Sequence, residues 1–103
     1  MQQIRIDVGV YTALEIDLTG FDFTGVEKLI MTAKNSPVET SAVVFEREYT
    51  EAKVYTEYIT PEESMLLVDG AVYDFNKVLI DGKRLKMGDN GKIELRKGCG
   101  RNA

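Results

Sequence analysis

The strongest constraint on what this chain can fold into is a two-residue period broken by turn signals. Ile4-Arg5-Ile6-Asp7-Val8 alternates apolar and charged side chains, and Leu14-Glu15-Ile16-Asp17-Leu18 does the same after a break near Gly9. Successive side chains of a strand point to opposite faces, so this alternation buries one face and solvates the other, as in half-buried antiparallel strands. Val26–Lys34 departs from the pattern with apolar residues on both parities, which predicts a central strand covered on both sides. Asn35-Ser36-Pro37 then turns the chain. Ser41–Glu48, with Val43, Val44 and Phe45, and Lys53–Ile59, rich in β-branched and aromatic residues, read as two further strands.

One helical segment interrupts the strands. Thr60-Pro61-Glu62-Glu63 offers a capping threonine, proline at the first helical position and glutamate at the third, a capping box. It predicts one short helix near residues 61–67, stopped by Asp69-Gly70 and dependent on Met65 and Leu66 or Leu67 packing on a core. Ala71–Ile80 then reads as a long strand. Asp81-Gly82 predicts a two-residue type I′ hairpin. Lys83–Met87 and Lys92–Lys97 read as two strands separated by a turn at Asp89-Asn90-Gly91. About eight short strands with no βαβ rhythm predict a mainly all-β fold, an antiparallel β-sandwich or small barrel. One domain spans 1–97, with 98–103 expected as a flexible C-terminal tail.

Composition excludes several classes. With 44% hydrophobic and 29% charged residues the chain is globular rather than disordered, and no apolar run reaches the length of a membrane helix. No membrane insertion is therefore expected, and the alternating N-terminus does not read as a signal peptide. Cys99 is the lone cysteine, so no internal disulfide forms, and it is read as an incidental thiol. There is no histidine, which removes Ser-His-Asp and Cys-His catalysis and the usual zinc sites. No Walker loop or GxSxG elbow is present. Carboxylates remain, but Asp7, Glu15, Asp17 and Glu57 alternate with apolar residues and so fall on solvated faces. Asp17 and Asp22, flanking Thr19-Gly20, are the best candidates for a calcium-binding loop; the pattern is not an EF-hand, since Asp89-Asn90-Gly91 lacks the onward ligands. The chain is expected not to be an enzyme, with no catalytic residues, no metal and no cofactor.

Charge is split along the chain. Residues 1–82 hold 6 Lys and Arg against 15 Asp and Glu, whereas residues 83–103 hold 7 against 2. Lys83, Arg84, Lys86, Lys92, Arg96 and Lys97 form a candidate interaction face that could dock on the acidic body of a neighbour. No nucleic-acid partner is expected, because aromatics that would stack bases are absent from residue 76 onward. Tyr49, Tyr55 and Tyr58 are candidate ligand or partner aromatics; the stronger reading is that at strand parity such rings fill the core, with their hydroxyls reaching the rim.

The order of elements resembles a known class. Asp17-Leu18-Thr19-Gly20 closes an early strand and leads into Val26–Lys34. Tyr58-Ile59-Thr60-Pro61-Glu62-Glu63-Ser64 precedes Asp69-Gly70-Ala71-Val72-Tyr73-Asp74-Phe75, and a charged hairpin ends in Gly91-Lys92-Ile93-Glu94-Leu95. This resembles the small β-sandwich modules of phage and prophage tail and baseplate proteins, over about Ile4 to Lys97. The glycine before the tyrosine strand is set back from Tyr73, unlike the usual arrangement. The resemblance implies a non-catalytic structural protein, partnered by copies of itself or by other phage-particle subunits, cytoplasmic before assembly and in the virion after it. It implies no catalytic residues. The alternative is a small carbohydrate- or protein-binding β-sandwich module using the tyrosines.

Overall fold

A computed structural model describes residues 2–38 and 40–97; the expected tail 98–103, with Cys99, lies outside the described residues. The alternating segments form β1 (Ile4–Asp7) and β2 (Thr12–Asp17), and the two-faced segment forms β3 (Val26–Lys34). β4 (Val43–Tyr49) and β5 (Val54–Ile59) follow, then α1 (Pro61–Leu66), β6 (Val72–Leu79) and β7 (Arg84–Arg96). A curled five-stranded sheet in the order β1-β7-β6-β3-β4 packs against a two-stranded sheet, β2-β5. The fold is mainly β, as the period-two pattern requires.

β3 is central, between β6 and β4, and Leu29 through Ala33 are all buried. Leu29, Met31 and Ala33 face the core with Tyr49, Phe45 and Tyr73, while Ile30 and Thr32 face outward beneath the long side chains of neighbouring strands. The inner face of the small sheet supplies Leu14, Ile16, Tyr55 and Ile59. Two strands cannot cover five, and Phe21 and Phe23, stacked edge to face at 4.6 Å, fill part of the shortfall from the β2–β3 loop.

Three expectations need correction. Among the described residues seven strands form, because Arg84–Arg96 is one strand of 13 residues rather than two strands about a turn. Gly88, Asp89 and Asn90 instead bulge opposite Asp74, between the pairs Phe75↔Met87 and Tyr73↔Gly91, with Gly88 at φ 73°. An even number of extra residues preserves side-chain parity, so the strand bends without exchanging its faces. Secondly, the large sheet is mixed: β1 runs parallel to β7, with Ile4 opposite Ile93 and Ile6 opposite Leu95. Thirdly, the β6–β7 hairpin has a three-residue loop. The Gly82 amide donates to the Leu79 carbonyl at 2.8 Å, the Leu79 amide to Lys83 at 2.8 Å, and Gly82 takes φ 93°, a type I turn with a left-handed third residue.

The capping box forms as read. The Glu63 amide donates to Thr60 Oγ1 at 3.1 Å, and the Thr60 amide to Glu63 Oε1 at 3.0 Å. Of the apolar residues around α1, Leu67 is the one packed into the core, and Met65 and Leu66 point outward. Fully buried Ser64 anchors the helix instead: its hydroxyl donates to the Pro61 carbonyl and accepts from the Gly9 amide of the β1–β2 turn.

Candidate functional site

Outward-facing residues of β3, β6 and β7 line a cleft of about 570 Å3 on the side of the large sheet opposite the core. Register explains who meets there. Thr32 lies opposite Asp74, Asn76 opposite both Ile30 and Lys86, and Lys34 opposite Val72, so alternate residues of three strands share one face. Ser36 and Pro37 of the β3–β4 loop wall one end, and Asn90 of the β7 bulge another. Inside, Lys86 Nζ donates to Asn90 Oδ1 at 2.8 Å, and Asn76 Nδ2 donates to Asp74 Oδ1 at 3.2 Å. Glu46 accepts from the Thr32 hydroxyl at 3.0 Å and pairs loosely with Arg84 at 3.8 Å. The cleft lining thus holds cations, amides, hydroxyls and the Asp74 carboxylate, with Glu46 bonded to two of its lining residues, a set suited to hydrogen-bonding a polar ligand.

The basic residues singled out from the sequence are not one free face. Arg84 and Lys86 line the cleft. Lys83 pairs with Asp81 (3.7 Å) in the hairpin, Arg96 with Asp7 (3.8 Å) across the β1–β7 pair, and Lys97 with Asp69 (3.5 Å). Lys92 lies on the same face of β7 as Arg84, Lys86 and Arg96, opposite Val72. These pairs are solvent-exposed and individually weak, yet they spread acid among base on the same surface.

The tyrosines separate cleanly. Tyr49 is a core residue, 1% exposed, with its ring 4.6 Å from that of Tyr55, which is itself half-buried. Burial, reinforced by the nearby Glu57 carboxylate, pushes the Tyr49 hydroxyl well above its ordinary pKa. Of these three, Tyr58 projects into solvent, at 60% exposure on the outer face of the small sheet. Arg47 sits beneath it: Nη2 donates to the Tyr58 carbonyl (3.2 Å) and Glu63 Oε1 (2.8 Å), Nε approaches Glu57 Oε1 at 3.3 Å, and the guanidinium lies over the Phe45 ring. This network ties β4 to β5 and to the capping box. It holds the layers together.

Asp17 and Asp22 are built into turns. The Thr19 hydroxyl and amide hold the Asp17 carboxyl below its usual range, and the Thr24 hydroxyl and amide do the same for Asp22. Among the described residues no three acidic or sulfur side chains gather as a metal site.

A second surface escapes the sequence reading. The Gly9–Ser64 bond ties the β1–β2 turn, which carries Val10 and Tyr11, to α1, and Asn35 bridges the Leu66 carbonyl (2.8 Å) and the Val68 amide (2.9 Å). Tyr11, Met65 and Leu66 are 66%, 65% and 62% exposed, and Val10, Val38 and Val68 are also exposed. Toward the other end of β2, where the small sheet stops, Leu18, Phe21, Leu29, Phe75 and Met87 line an apolar pocket of about 160 Å3. Neither was legible, because helical spacing alone does not say which of Met65, Leu66 and Leu67 turns inward. Of the cleft, Arg84 and Lys86 were found. Asp74 and Asn76, polar at alternate positions of an apolar strand, were the available signal for the rest.

No protein-family model matches the chain, and neither a curated protein nor a solved structure is significantly similar to it. No helix of the described residues is long and apolar enough to cross a membrane.

Proposed function

We propose that this protein is a non-catalytic assembly module, a building block of the phage tail or baseplate kind, that joins copies of itself head to tail. The observation that supports this reading is the pairing of an apolar projection with an apolar pocket elsewhere on the same chain. Met65 and Leu66 stand out on α1, whose cap Thr60 follows Ile59, the partner of Thr12 at the start of β2, while Leu18 and its pocket follow the end of that strand. Six strand residues place the two about 20 Å apart. A patch and a complementary pocket at different places make a heterologous contact, which propagates into rings or filaments rather than closing as a two-fold dimer. The pocket's 160 Å3 matches one apolar side chain; an apolar cavity of roughly 150 Å3 accepts a benzene ring. The resemblance of the turn motifs to tail and baseplate modules supports the same class of role, and the absence of histidine fits a protein that joins rather than transforms.

Sedimentation of the full chain across concentration and salt tests the reading. Self-association should persist at about 1 M salt, where exposed charge contacts are screened, and Leu66→Asp should abolish it. A chain that stays monomeric near millimolar concentration overturns the reading. So does association that salt dissolves, which would return the contact to the basic residues of β7. A carbohydrate-binding role for Tyr55 and Tyr58 is less supported, because Tyr55 packs on Tyr49 and only Tyr58 is presented.

A further inference from the structure

We infer that the cleft on the outer face of β3, β6 and β7 is a binding site for an acidic saccharide, an oligosaccharide bearing carboxylates. This does not depend on the assembly reading, which uses other surfaces.

The first ground is how the cleft is made. A bulge leaves regular pairing incomplete, and bulges recur where a strand re-aims a side chain toward a site. Here the Gly88-Asp89-Asn90 bulge delivers Asn90 to hold Lys86 Nζ at 2.8 Å over the cleft. The ammonium is oriented by a neutral amide oxygen, so its charge is positioned without being cancelled. Arg84 is similarly undercompensated, since its nearest carboxylate, Glu46, is 3.8 Å away and also accepts from Thr32.

The second ground is the kind of group between the cations. Asp74 lies in the same cleft, with Asn76 Nδ2 donating to it. A carboxylate there opposes a compact dianion such as phosphate, but it accepts hydrogen bonds from hydroxyls. The Asn76 carbonyl is a further acceptor beside it. Acceptors for sugar hydroxyls flanked by cations for a carboxylate fit a uronic-acid chain better than a bare anion or a neutral sugar. At about 570 Å3 the cleft lies within the usual range of ligand pockets, roughly 300–1,000 Å3, and is too large for a single ion.

The test titrates the full chain with trigalacturonate, maltotriose and inorganic phosphate, following backbone amides by NMR. Trigalacturonate should shift the amides of Asp74, Asn76, Lys86 and Asn90, and should bind at least about tenfold more tightly than either comparison compound. Lys86→Gln should weaken it about tenfold, the scale of one hydrogen bond to a charged group, while Lys83→Gln in the hairpin leaves it unchanged. Asp74→Asn should weaken trigalacturonate while strengthening phosphate. Phosphate binding as tightly as the saccharide would mean the site reads charge alone and would overturn the inference. So would shifts centred outside the cleft, or no binding by about 10 mM. Unchanged amide dispersion in each variant separates loss of binding from loss of fold.

Discussion

Arg47→Met should be among the most destabilising substitutions of any charged residue in this chain. The guanidinium, 20% exposed, approaches Glu63 at 2.8 Å and Glu57 at 3.3 Å, and donates to the Tyr58 and Glu46 carbonyls at 3.2 Å. Methionine keeps most of the stem's packing and removes the charge. Breaking a fully buried pair by deleting one partner costs about 3–5 kcal/mol. Glu57 and Glu63 retain side-chain exposures of 20% and 24%, so solvent screens part of that, and about 2–3 kcal/mol is expected. In a domain of this size that lowers Tm by about 10–20 °C. Burial by itself would raise the Glu63 carboxyl, but the Arg47 hydrogen bond, the Thr60 amide and the Arg47 charge together hold it below its ordinary value. A carboxylate depressed in the folded state contributes stability that is present above its unfolded pKa and lost as pH falls through the folded one. The cost of Arg47→Met should therefore be largest near neutral pH and should shrink below the ordinary glutamate value of about 4.3. Urea unfolding of wild type, Arg47→Met, Glu63→Gln and the double variant at neutral and acid pH reads both effects. A cost below about 1 kcal/mol, or a pairwise coupling near zero, would refute the assignment of this network as the clamp between layers.

Gly91→Ala should destabilise by about 1–3 kcal/mol, the range for overpacking, because an added Cβ would sit 2.4 Å from Tyr73 Cε1; thermal melts of the single variant and of Gly91→Ala with Tyr73→Leu should show partial rescue in the pair. Thr60→Ala should cost about 1 kcal/mol by opening the capping box, measurable as a shift in the urea midpoint at constant slope. In an alkaline titration followed at the tyrosinate absorbance, Tyr49, 1% exposed, should ionise only with unfolding. The sign follows from its raised folded pKa: the stability it contributes is complete below the ordinary value of 10.0 and is lost as pH rises toward the folded one. Tyr49→Phe should remove that late step, and an early step from Tyr49 would contradict its burial.

Most of the fold was legible because its signals are local. Alternation in β1 and β2, the two-faced β3 and the capping box each depend on neighbours within a few residues, and each formed near its expected place. What was illegible depends on pairing across the chain. Asp89-Asn90-Gly91 has the composition of a turn, but Gly91 pairs with Tyr73 and Lys92 with Val72, and those partners keep β7 extended through the bulge. The parallel β1–β7 contact joins the two ends of the described chain, which no periodicity reports. The candidate sites followed the same rule. Arg84 and Lys86 were visible as charges, but their neighbours Lys34, Asp74 and Asn76 come from β3 and β6, and register alone brings them together. Tyr49 was misleading for the converse reason. Its parity is that of a strand residue, and which face is buried was decided by Leu29 opposite it.

The two inferred surfaces have a joint consequence. The proposed apolar contact would use α1 and the pocket beside Phe21, whereas the cleft opens on the other side of the five-stranded sheet from the core. Head-to-tail joining would therefore leave each copy's cleft open, and an array would present one cleft per subunit to a repeating polymer. Weak sites become strong when a linked ligand meets several at once, because the second encounter is governed by effective concentration rather than bulk concentration. Long polygalacturonate should then bind wild type far more tightly than trigalacturonate does, by about a hundredfold. It should bind monomeric Leu66→Asp with little more than its single-site affinity. Equal enhancement in both proteins would show that the polymer gathers subunits without the apolar contact. No enhancement in wild type would mean that the assembled clefts point in directions one chain cannot join.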